Sequence, residues 1–363
     1  MEHNLQKITE RFQVSGNFMS AKPYGSGHIH DTYAAQFDQN GTAIRYIIQR
    51  INQVVFKNTD ALMENISRVT AHQLTKLKDN GHSDPHRQCL SMIPTVDEKT
   101  FYQDESGNTW RIYFFVENAT TYDIADTPEL VFQSAKAYGH FQKQLIDLPG
   151  KRLHETIPDF HNTPKRFKAL EKAIEEDIEN RAQRVGQEIA FALKHKDIAS
   201  FLDQKHKEGI IPERITHNDT KLNNVMIDNN TREGICVIDL DTVMPGLIHH
   251  DFGDMVRSGT CVSAEDETDL SKVFMDIEKY EYTLNGYMES AGDFLSRAEK
   301  ELLPLSGKVI TFETGIRFLT DYLQGDIYFK TDHKNHNLDR CRVQFKMVES
   351  LISNEDKMIK CIS

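Results

Sequence analysis

Two stretches decide how this chain is read: Thr216-His217-Asn218-Asp219-Thr220-Lys221-Leu222-Asn223-Asn224 and, shortly after it, Val237-Ile238-Asp239-Leu240-Asp241. Together they give His-x-Asp, an Asn five residues after that Asp, and a second Asp on a β-like run. This order is typical of phosphoryl transfer, in which Asp219 accepts the proton of an attacking hydroxyl while Asn224 and Asp239 offer oxygen ligands to magnesium. The alternative is that each polar residue only caps a turn, but the complete set favours the catalytic interpretation.

Two neighbouring motifs allow more than one interpretation. Asp241 stands two residues after Asp239, so on a continuing strand both side chains point the same way. It is compatible with a second metal ligand, with a sugar contact, or with a turn residue before residues 244–246. Asp251-Phe252-Gly253 spells a kinase metal motif, yet it lies too far after Asp219 and Asp239 already fills that role. We interpret it as the start of a helix that buttresses the catalytic loop.

The chain divides into a β-rich first part, residues 1–116, and a mainly helical second part, residues 117–363. We expect five strands and one helix in the first part, with a hairpin of strands 29–37 and 46–51 around the turn Asp38-Gln39-Asn40-Gly41 and a helix over 60–78. Periodic helical segments then cover 128–148, 164–194, 198–207, 312–324 and 338–353. The predicted fold class is α+β, with two lobes, and clefts between lobes are favoured ligand sites.

A glycine turn, Gly25-Ser26-Gly27, precedes the first strand of that hairpin. Its position at the start of a small β lobe is compatible with a phosphate-covering turn and equally with an ordinary hairpin turn. The pattern GxxxxGK[ST] is absent from the sequence, so a Walker-type nucleotide site is excluded.

Composition excludes several classes of function. The 363 residues carry a net charge of −12 and no Lys/Arg run, which makes nucleic acid a poor partner. No apolar run approaches the roughly 20 residues of a membrane span, and the first 20 residues lack the apolar centre of a signal peptide, so we expect a cytoplasmic protein. The five cysteines form no CxxC pair, and His249 and His250 diverge on a helix, so neither group predicts a metal site. No obligate protein partner is evident.

Arg317 lies in a helical segment with Glu313 and Asp321 four residues to either side. The plain interpretation is a solvated ladder of ion pairs along one helix face. The apolar neighbours Ile316, Phe318 and Leu319 also allow Arg317 to point into a cleft as a ligand for hydroxyl or phosphate groups.

The order of a small β lobe, the hinge Val116-Glu117 and the two aspartate motifs resembles the aminoglycoside phosphotransferase family, relatives of the protein kinases. The stretches PYGSGHIHDTY (23–33), LMENI (62–66), ITHNDTKLNNVMID (215–228), VIDLDTVMPG (237–246) and IRFLTDYLQGDIYF (316–329) resemble the branch that phosphorylates the anomeric hydroxyl of N-acetylglucosamine or N-acetylgalactosamine. The similarity spans about residues 24–351. It implies a protein-kinase-like bilobal fold, ATP and Mg²⁺ as cofactors, and a sugar as the small-molecule partner.

The resemblance also implies roles at matching positions. Asp219 would be the general base, and Asn224 and Asp239 would hold magnesium, while His217 would orient the loop. Residues that would line the sugar pocket are His28, Asp219, Arg317 and Tyr328. We also assign Asp241 to the substrate, as one of the roles that its spacing allows. Residues that would bind the nucleotide are Gly25, Ser26 and Gly27 over the phosphates and the backbone of Phe115, Val116 and Glu117 at the adenine.

One position departs from the wider family pattern. The third strand of that family usually carries a Lys or Arg that pairs with the α- and β-phosphates, and the aligned residue here is Gln49. Arg50 is adjacent but should face the other side of the strand. The sequence therefore does not show which residue binds the α- and β-phosphates. Glu64, which would pair with such a Lys from the helix, has no predicted role.

Other acceptors remain open from the sequence: a plain hexose, homoserine, choline or an aminoglycoside. A polycationic aminoglycoside needs an acidic pocket, which Arg317 disfavours. A non-catalytic nucleotide- or sugar-binding regulator is the alternative from another class, and the presence of Asp219, Asn224 and Asp239 weighs against it.

Overall fold

The structure of this protein is a computed structural model that describes residues 3–25 and 29–362. The chain folds as two compact units. The first unit comprises residues 1–120, 144–158 and 226–244, and the second comprises 121–143, 159–225 and 245–363. The first unit thus includes two later segments that the boundary at 116/117 assigns to the helical part.

The strands of the described residues are β1 (Asn17–Pro23), β2 (Asp31–Gln39), β3 (Thr42–Arg50), β4 (Met92–Ile93), β5 (Tyr102–Gln103), β6 (Thr109–Phe114), β7 (Ala119–Thr120), β8 (Arg214–Thr216), β9 (Val225–Asp228), β10 (Gly234–Val237) and β11 (Met244–Gly246). The first six form one antiparallel sheet in the order β1-β2-β3-β6-β4, with β5 also paired to β6. Strands β7, β9 and β10 form a second, small sheet, and β8 pairs with β11.

The helices are α1 (Leu5–Thr9), α2 (Thr59–Asp79), α3 (Pro128–Gln144), α4 (Thr163–Glu176), α5 (Gly186–Lys194), α6 (Lys196–Lys207), α7 (Ile248–Thr260), α8 (Ile277–Ala291), α9 (Arg297–Leu323), α10 (His336–Ser353) and α11 (Glu355–Ile362). In the second unit, α9 packs against α4, α6, α7, α10 and α11. A capping box of Ser296 and Glu299 starts α9, and this long helix carries the second unit's core residues Phe312, Ile316 and Leu319.

The sheet of the first unit has two faces of different character. On one face, alternating residues of β2, β3 and β6 are buried together, among them Phe37, Ile48 and Trp110. Period-two alternation places Gln49 and Arg111 on the opposite face. On this opposite face, Arg111 donates hydrogen bonds to Gln49 and to Asp241.

The predicted hairpin is confirmed in β2 and β3. Asn40 and Gly41 both have positive φ angles, 54° and 86°, as a tight hairpin turn requires, and the amide of Gly41 donates to Asp38 Oδ1 at 2.9 Å. The expected helix over 60–78 is confirmed as α2.

Three expectations on secondary structure were incomplete. The main sheet of the described residues has six strands, whereas the sequence predicted five. The sequence pattern does not mark β1, which is largely exposed and lacks alternation, or β4, which has only two residues. The segment 164–194 is two helices, since Asp177 takes a left-handed conformation at the end of α4 and its carboxylate caps the next turn. Helix α9 begins before Pro304, which it contains, whereas the sequence indicated only 312–324.

Within residues 3–25 and 29–362, none of the helices combines the length and the apolar character that a membrane crossing demands.

Candidate active site

The loop after β8 in the second unit carries Asp219, the predicted base. Its carboxylate is 27 % exposed, and its Oδ2 lies 3.1 Å from Lys221 Nζ. The same oxygen accepts a hydrogen bond from Asn224 Nδ2 at 3.0 Å, and the main-chain oxygen of Asp219 accepts another from Nδ2 at 2.9 Å. Two donors thus hold the carboxylate in place while leaving it access to solvent.

The charge state of Asp219 follows from these neighbours. Burial raises the pKa of Asp219, but the Lys221 ammonium and His217 outweigh burial, so the pKa lies below its ordinary value. The carboxylate is therefore ionised at neutral pH, which a proton acceptor requires.

Asp251 supports this loop from the first turn of α7. Its Oδ2 accepts the amide of His217 at 2.9 Å, its Oδ1 accepts the amide of Asn218 at 2.7 Å, and its main-chain oxygen accepts Thr220 Oγ1 at 2.6 Å. The prediction that this segment buttresses the loop is confirmed for Asp251. These bonds let Asn218 keep a left-handed φ of 65° immediately before Asp219.

A buried polar chain in turn holds Asp251. Gln142 Nε2 donates to Asp251 Oδ2 at 2.6 Å, and Tyr287 Oη donates to Gln142 Oε1 at 2.5 Å. Burial raises the pKa of Asp251 above its ordinary value. Gly253 belongs to packing rather than to metal binding, because a Cβ there would meet the main-chain oxygen of Ser306 at 2.6 Å.

His217 is fully buried beside the rings of Tyr138 and Phe141. The amide of Asp219 donates to its Nδ1 at 3.3 Å, and the role of the ring in orienting the loop stays a prediction. His249 and His250 are also buried, and burial lowers the pKa of His249 to about 4. Their neutral rings serve packing and a hydrogen bond from His249 Nε2 to the oxygen of Glu299 at 3.0 Å.

Gly246 in β11 allows a close approach to the same loop. A Cβ at this position would lie 2.4 Å from Thr216 Oγ1 and 2.9 Å from Asn218 Oδ1. The residue must therefore be glycine for the loop to keep its place.

A cationic cluster, defined as His161, Arg166 and Arg317, adjoins this loop in the second unit. His161 Nε2 contacts the oxygen of Asn218 at 3.0 Å, and His161 Nδ1 contacts Glu313 Oε1 at 2.8 Å. Both ring nitrogens thus face acceptors. Burial lowers the pKa of His161, but Glu313 outweighs burial and raises it above its ordinary value.

Arg317 does not take part in the helical ladder that was one of its two interpretations. Its guanidinium lies 5.6 Å from the ring centre of Phe160 and 5.5 Å from that of Phe329, both cation–π distances. Glu313 is used by His161 and by Thr163 Oγ1, which donates to it at 2.6 Å. Within residues 3–25 and 29–362, no carboxylate makes an ion pair with Arg317.

Arg166 reinforces the positive charge of this cluster. Burial and then the neighbouring charge of Arg317 lower the pKa of Arg166. Its Nε is buried and, within the described part of the chain, makes no hydrogen bond, while its Nη2 donates to the oxygen of Phe160 at 3.2 Å.

Tyr328 follows α9 in a turn that Asp321 organises. The Asp321 carboxylate accepts the amides of Ile327 at 3.0 Å, Tyr328 at 2.8 Å and Phe329 at 2.9 Å. The Tyr328 side chain is 63 % exposed. The turn thus fixes the main chain of Tyr328 and leaves its phenol accessible.

Asp239 and Asp241 lie in the first unit, after β10. Asp239 takes a left-handed conformation with φ 59° and ψ 56°. Asp241 is buried, and its Oδ1 and Oδ2 accept Arg111 Nη1 at 2.8 Å and Nη2 at 2.6 Å. Burial raises the pKa of Asp241, but Arg111 and then His30 outweigh it and hold the pKa well below its usual range. Its role as a sugar contact stays a prediction, since the structure shows its oxygens engaged by Arg111.

The predicted adenine-binding segment also lies in the first unit. The Arg45 guanidinium stacks 3.8 Å from the ring centre of Phe115 and forms an ion pair with Glu117. Val116 is buried, and Arg87 Nε donates to the main-chain oxygen of Glu117 at 3.1 Å. These contacts fix the segment, and its binding of adenine stays a prediction.

Gly25 has a φ of 82°, a conformation that favours glycine. The other predicted residues of this turn, Ser26 and Gly27, and the predicted sugar ligand His28 lie outside the described residues.

The predicted magnesium ligands offer suitable atoms. Asn224 in the second unit donates its Nδ2 to Asp219, so its Oδ1 is the atom oriented to accept a cation. Asp239 in the first unit offers a carboxylate within 4.8 Å of ligand atoms of His30 and Asp241. An amide oxygen and a carboxylate are hard donors, and this chemistry fits Mg²⁺.

Sequence reasoning missed Lys221, Arg111, Arg166 and His161. Lys221 stands two residues after Asp219, so spacing within the loop could have found it. The other three come from elements distant in sequence from the aspartate motifs, and the sequence gives no signal for them.

Comparison with known proteins shows the family and the fold of the chain. The family model described as the phosphotransferase enzyme family (APH) matches residues 20–273, well over half of the chain. Among solved structures, the chain is similar to a microcompartment-associated aminopropanol kinase, with a TM-score of 0.62 and 15 % identity over 98 % of this chain and 97 % of the other.

Spectinomycin phosphotransferase in complex with ADP and spectinomycin is similar with a TM-score of 0.59 and 14 % identity, covering 97 % of this chain and 98 % of the other. Choline kinase from Cryptosporidium parvum is similar with a TM-score of 0.57 and 13 % identity, covering 98 % and 96 %. These likenesses confirm the kinase-like fold, with its small antiparallel-sheet lobe and helical lobe, and the chain belongs to the phosphotransferase enzyme family (APH).

Proposed function

We propose that this phosphotransferase transfers the γ-phosphoryl group of ATP to the anomeric C1 hydroxyl of an N-acetylhexosamine, giving the sugar 1-phosphate and ADP. The five sequence stretches given above support the sugar assignment. The observation that carries the choice of acceptor class is the cationic cluster beside the Asp219 loop.

The proposal gives the chain's residues distinct tasks. Asp219 accepts the proton of the anomeric hydroxyl, whose oxygen forms a bond to the γ-phosphorus as the bond from that phosphorus to the β–γ bridging oxygen breaks. Lys221, 3.1 Å from Asp219, holds the carboxylate and adds positive charge next to the reacting oxygens. An anomeric hydroxyl is more acidic than an ordinary alcohol, which suits a carboxylate base.

Magnesium, held by Asn224 and Asp239, would neutralise charge on the phosphates. The residues around Gly25 and the main chain at 115–117 would hold the nucleotide. This proposal assigns the nucleotide mainly to the first unit and the acceptor to the second.

The proposed acceptor is a neutral sugar, whereas the acceptors in the names of several similar proteins are cations. Aminopropanol and choline are cations, as is spectinomycin with its amino groups. A site built around Arg166 and Arg317 would repel such acceptors, because the nearby Glu313 carboxylate is paired with His161. A neutral sugar is compatible with it, and an acetamido carbonyl accepts hydrogen bonds from a guanidinium.

The test is ADP release by the full chain with ATP and Mg²⁺ across a panel of N-acetylglucosamine, N-acetylgalactosamine, glucose, galactose, choline and kanamycin. The proposal predicts turnover with one or both N-acetylhexosamines and none with choline or kanamycin. Turnover with choline or kanamycin in preference to the sugars would contradict it. Magnesium-dependent ADP release with any acceptor also excludes the non-catalytic regulator.

A further inference from the structure

Within the first unit, Arg111 occupies the place next to Gln49. The two residues are directly opposite one another in the β3–β6 register, and Arg111 Nε donates to Gln49 Oε1 at 3.0 Å. Arg50, adjacent in the chain, pairs instead with Asp31, as the alternation of the strand requires. The sheet face that carries Gln49 therefore receives a cation from the neighbouring strand.

The Arg111 guanidinium is held in a single geometry. Its two terminal nitrogens donate to the two oxygens of Asp241, as a bidentate pair, while Nε is fixed by Gln49. Arg111 is 1 % exposed and Asp241 is 2 % exposed. A buried ion pair of this kind is weak evidence for stability, because an apolar pair of equal volume is often as stable, so its presence calls for another role.

Asp241 connects Arg111 to His30, which follows the glycine turn. The amide of Asn52 donates to His30 Nδ1 at 3.0 Å, so Nδ1 is an acceptor and Nε2 is the ring nitrogen that faces away from this bond. That nitrogen is buried and lies 3.4 Å from Asp241 Oδ1, as an electrostatic contact rather than a hydrogen bond. Asn52 Nδ2 also donates to the oxygen of Ile29 at 3.1 Å, so the chain just after the turn is held from two directions.

Asp241 also belongs to the loop that carries Asp239. Thr156 Oγ1 donates to the main-chain oxygen of Asp241 at 2.8 Å, and Asn65 Nδ2 donates to the oxygen of Val243 at 3.0 Å. The side chain of Asp241 is the link from this loop to the sheet, and it reaches the sheet through Arg111.

We propose that Arg111 is a positioning residue for the nucleotide: through Asp241 it fixes both the loop that carries Asp239 and the His30 end of the glycine turn. This inference rests on the proposed function, which assigns the glycine turn and Asp239 to the nucleotide and its magnesium. In this arrangement Arg111 acts through Asp241, because the guanidinium is buried and both of its terminal nitrogens donate to that carboxylate.

The test compares the binding of MgADP and the thermal unfolding of the full-length wild type and the double variant R111M/D241N. Removing both charges avoids a buried unpaired carboxylate, so the double variant should unfold within about 5 °C of the wild type. We expect its Kd for MgADP to rise about tenfold or more, because two ordered segments must be fixed at the moment of binding. Arg50 and Asp31 give a matched control: R50M/D31N removes a charged pair from the other face of the same strand and should leave the Kd unchanged.

A folded R111M/D241N that binds MgADP within about twofold of the wild type overturns the proposal. R111K provides a second readout if the double variant does not fold. A lysine keeps the charge but lacks the planar fork, so we expect MgADP binding to weaken by about three- to tenfold, and wild-type affinity overturns the proposal.

MgADP binding needs no acceptor, so the two proposals fail separately. A wild type that binds MgADP but phosphorylates no N-acetylhexosamine refutes the acceptor assignment and leaves the role of Arg111 to be decided by the variants.

Discussion

Two aspartate loops, one in each unit, are fixed by different means. The Asp219 loop of the second unit is held by neutral donors, because the main-chain amides of His217 and Asn218 donate to Asp251. The Asp239 loop of the first unit also has neutral donors to its main-chain oxygens, but its side-chain support is a buried cation, because Arg111 pairs with Asp241. The first loop is fixed by a residue that lies 32 positions from Asp219, and the second by one that lies 130 positions from Asp241.

The difference teaches how support and chemistry are divided. The Asp251 carboxylate accepts hydrogen bonds from two main-chain amides, and the ammonium of Lys221 pairs with Asp219 instead. In the first unit, Arg111 is the support itself, and its charge is balanced by Asp241. We therefore expect variants in the Asp219 loop to change the chemical step, variants of its support to change stability and rate together, and variants at Arg111 to change nucleotide affinity.

The largest effect is expected at the base itself. D219N removes the proton acceptor, and we expect kcat to fall by about a thousandfold or more while the fold is retained. Steady-state ADP release and thermal unfolding test this prediction. D203N, at a half-buried aspartate on α6 of the same unit that pairs with Lys207, is the matched control and should keep its rate. A kcat of D219N close to that of the wild type would show that Asp219 is not the general base.

The next effect is expected at the support of this loop. D251A leaves the buried amides of His217 and Asn218 without acceptors, which costs about 2–4 kcal/mol of unfolding free energy. Urea denaturation measures the loss. D251N keeps the shape and one acceptor oxygen, and should lose less stability than D251A. Equal stability of D251A and the wild type would show that the loop is held elsewhere.

A smaller effect is expected at Arg317. R317M should raise the KM for the sugar by about 10- to 100-fold and change the KM for ATP little, because a charged hydrogen bond to the acceptor is lost. R297M, on the first turn of the same helix with a side chain 92 % exposed, is the control. An unchanged KM for the sugar in R317M would show that Arg317 does not bind the acceptor.

The smallest effect is a pH dependence of stability at His161. Its pKa is raised in the folded state, so its contribution is complete below the unfolded value of about 6.5 and is lost as the pH rises through the folded pKa. We expect the stability difference between wild type and H161Q to shrink between pH 6 and pH 9. Urea denaturation at a series of pH values measures it, and a difference that grows with pH would contradict the assignment.

The contribution of Glu313 to stability depends on pH in the opposite direction to that of His161. Its pKa is lowered to about 2, because the positive charge of His161 and its hydrogen bond outweigh burial, so its contribution is present above an unfolded pKa of about 4.3 and is lost as the pH falls toward 2. The same series extended to acid should show stability falling in that window.

Much of the fold was predictable because local rules determine it. The Asn40-Gly41 turn, the helix over 60–78 and the aspartate motifs each depend on residues close together in the chain. The two-residue strand β4 and the break at Asp177 were missed, because their positions are decided by tertiary pairing and by a cap rather than by periodicity.

The candidate site was predictable to a smaller extent. The sequence allowed two interpretations of Arg317, and the structure shows that Glu313 is already used by His161 and Thr163. The cation next to Gln49 was not foreseen, because cross-strand register places Arg111 there and the aspartate motif contains no sign of it. Glu64, left without a rationale by the sequence, pairs with His154 at 2.9 Å.

The measurement that tests the central claim most directly is phosphorus NMR of the product formed from ATP, Mg²⁺ and N-acetylglucosamine or N-acetylgalactosamine. Our account predicts a phosphate on C1, seen by its coupling to the anomeric proton, and no such product with D219N. A phosphate on C6 or another hydroxyl, or no sugar phosphate from either N-acetylhexosamine, would contradict it.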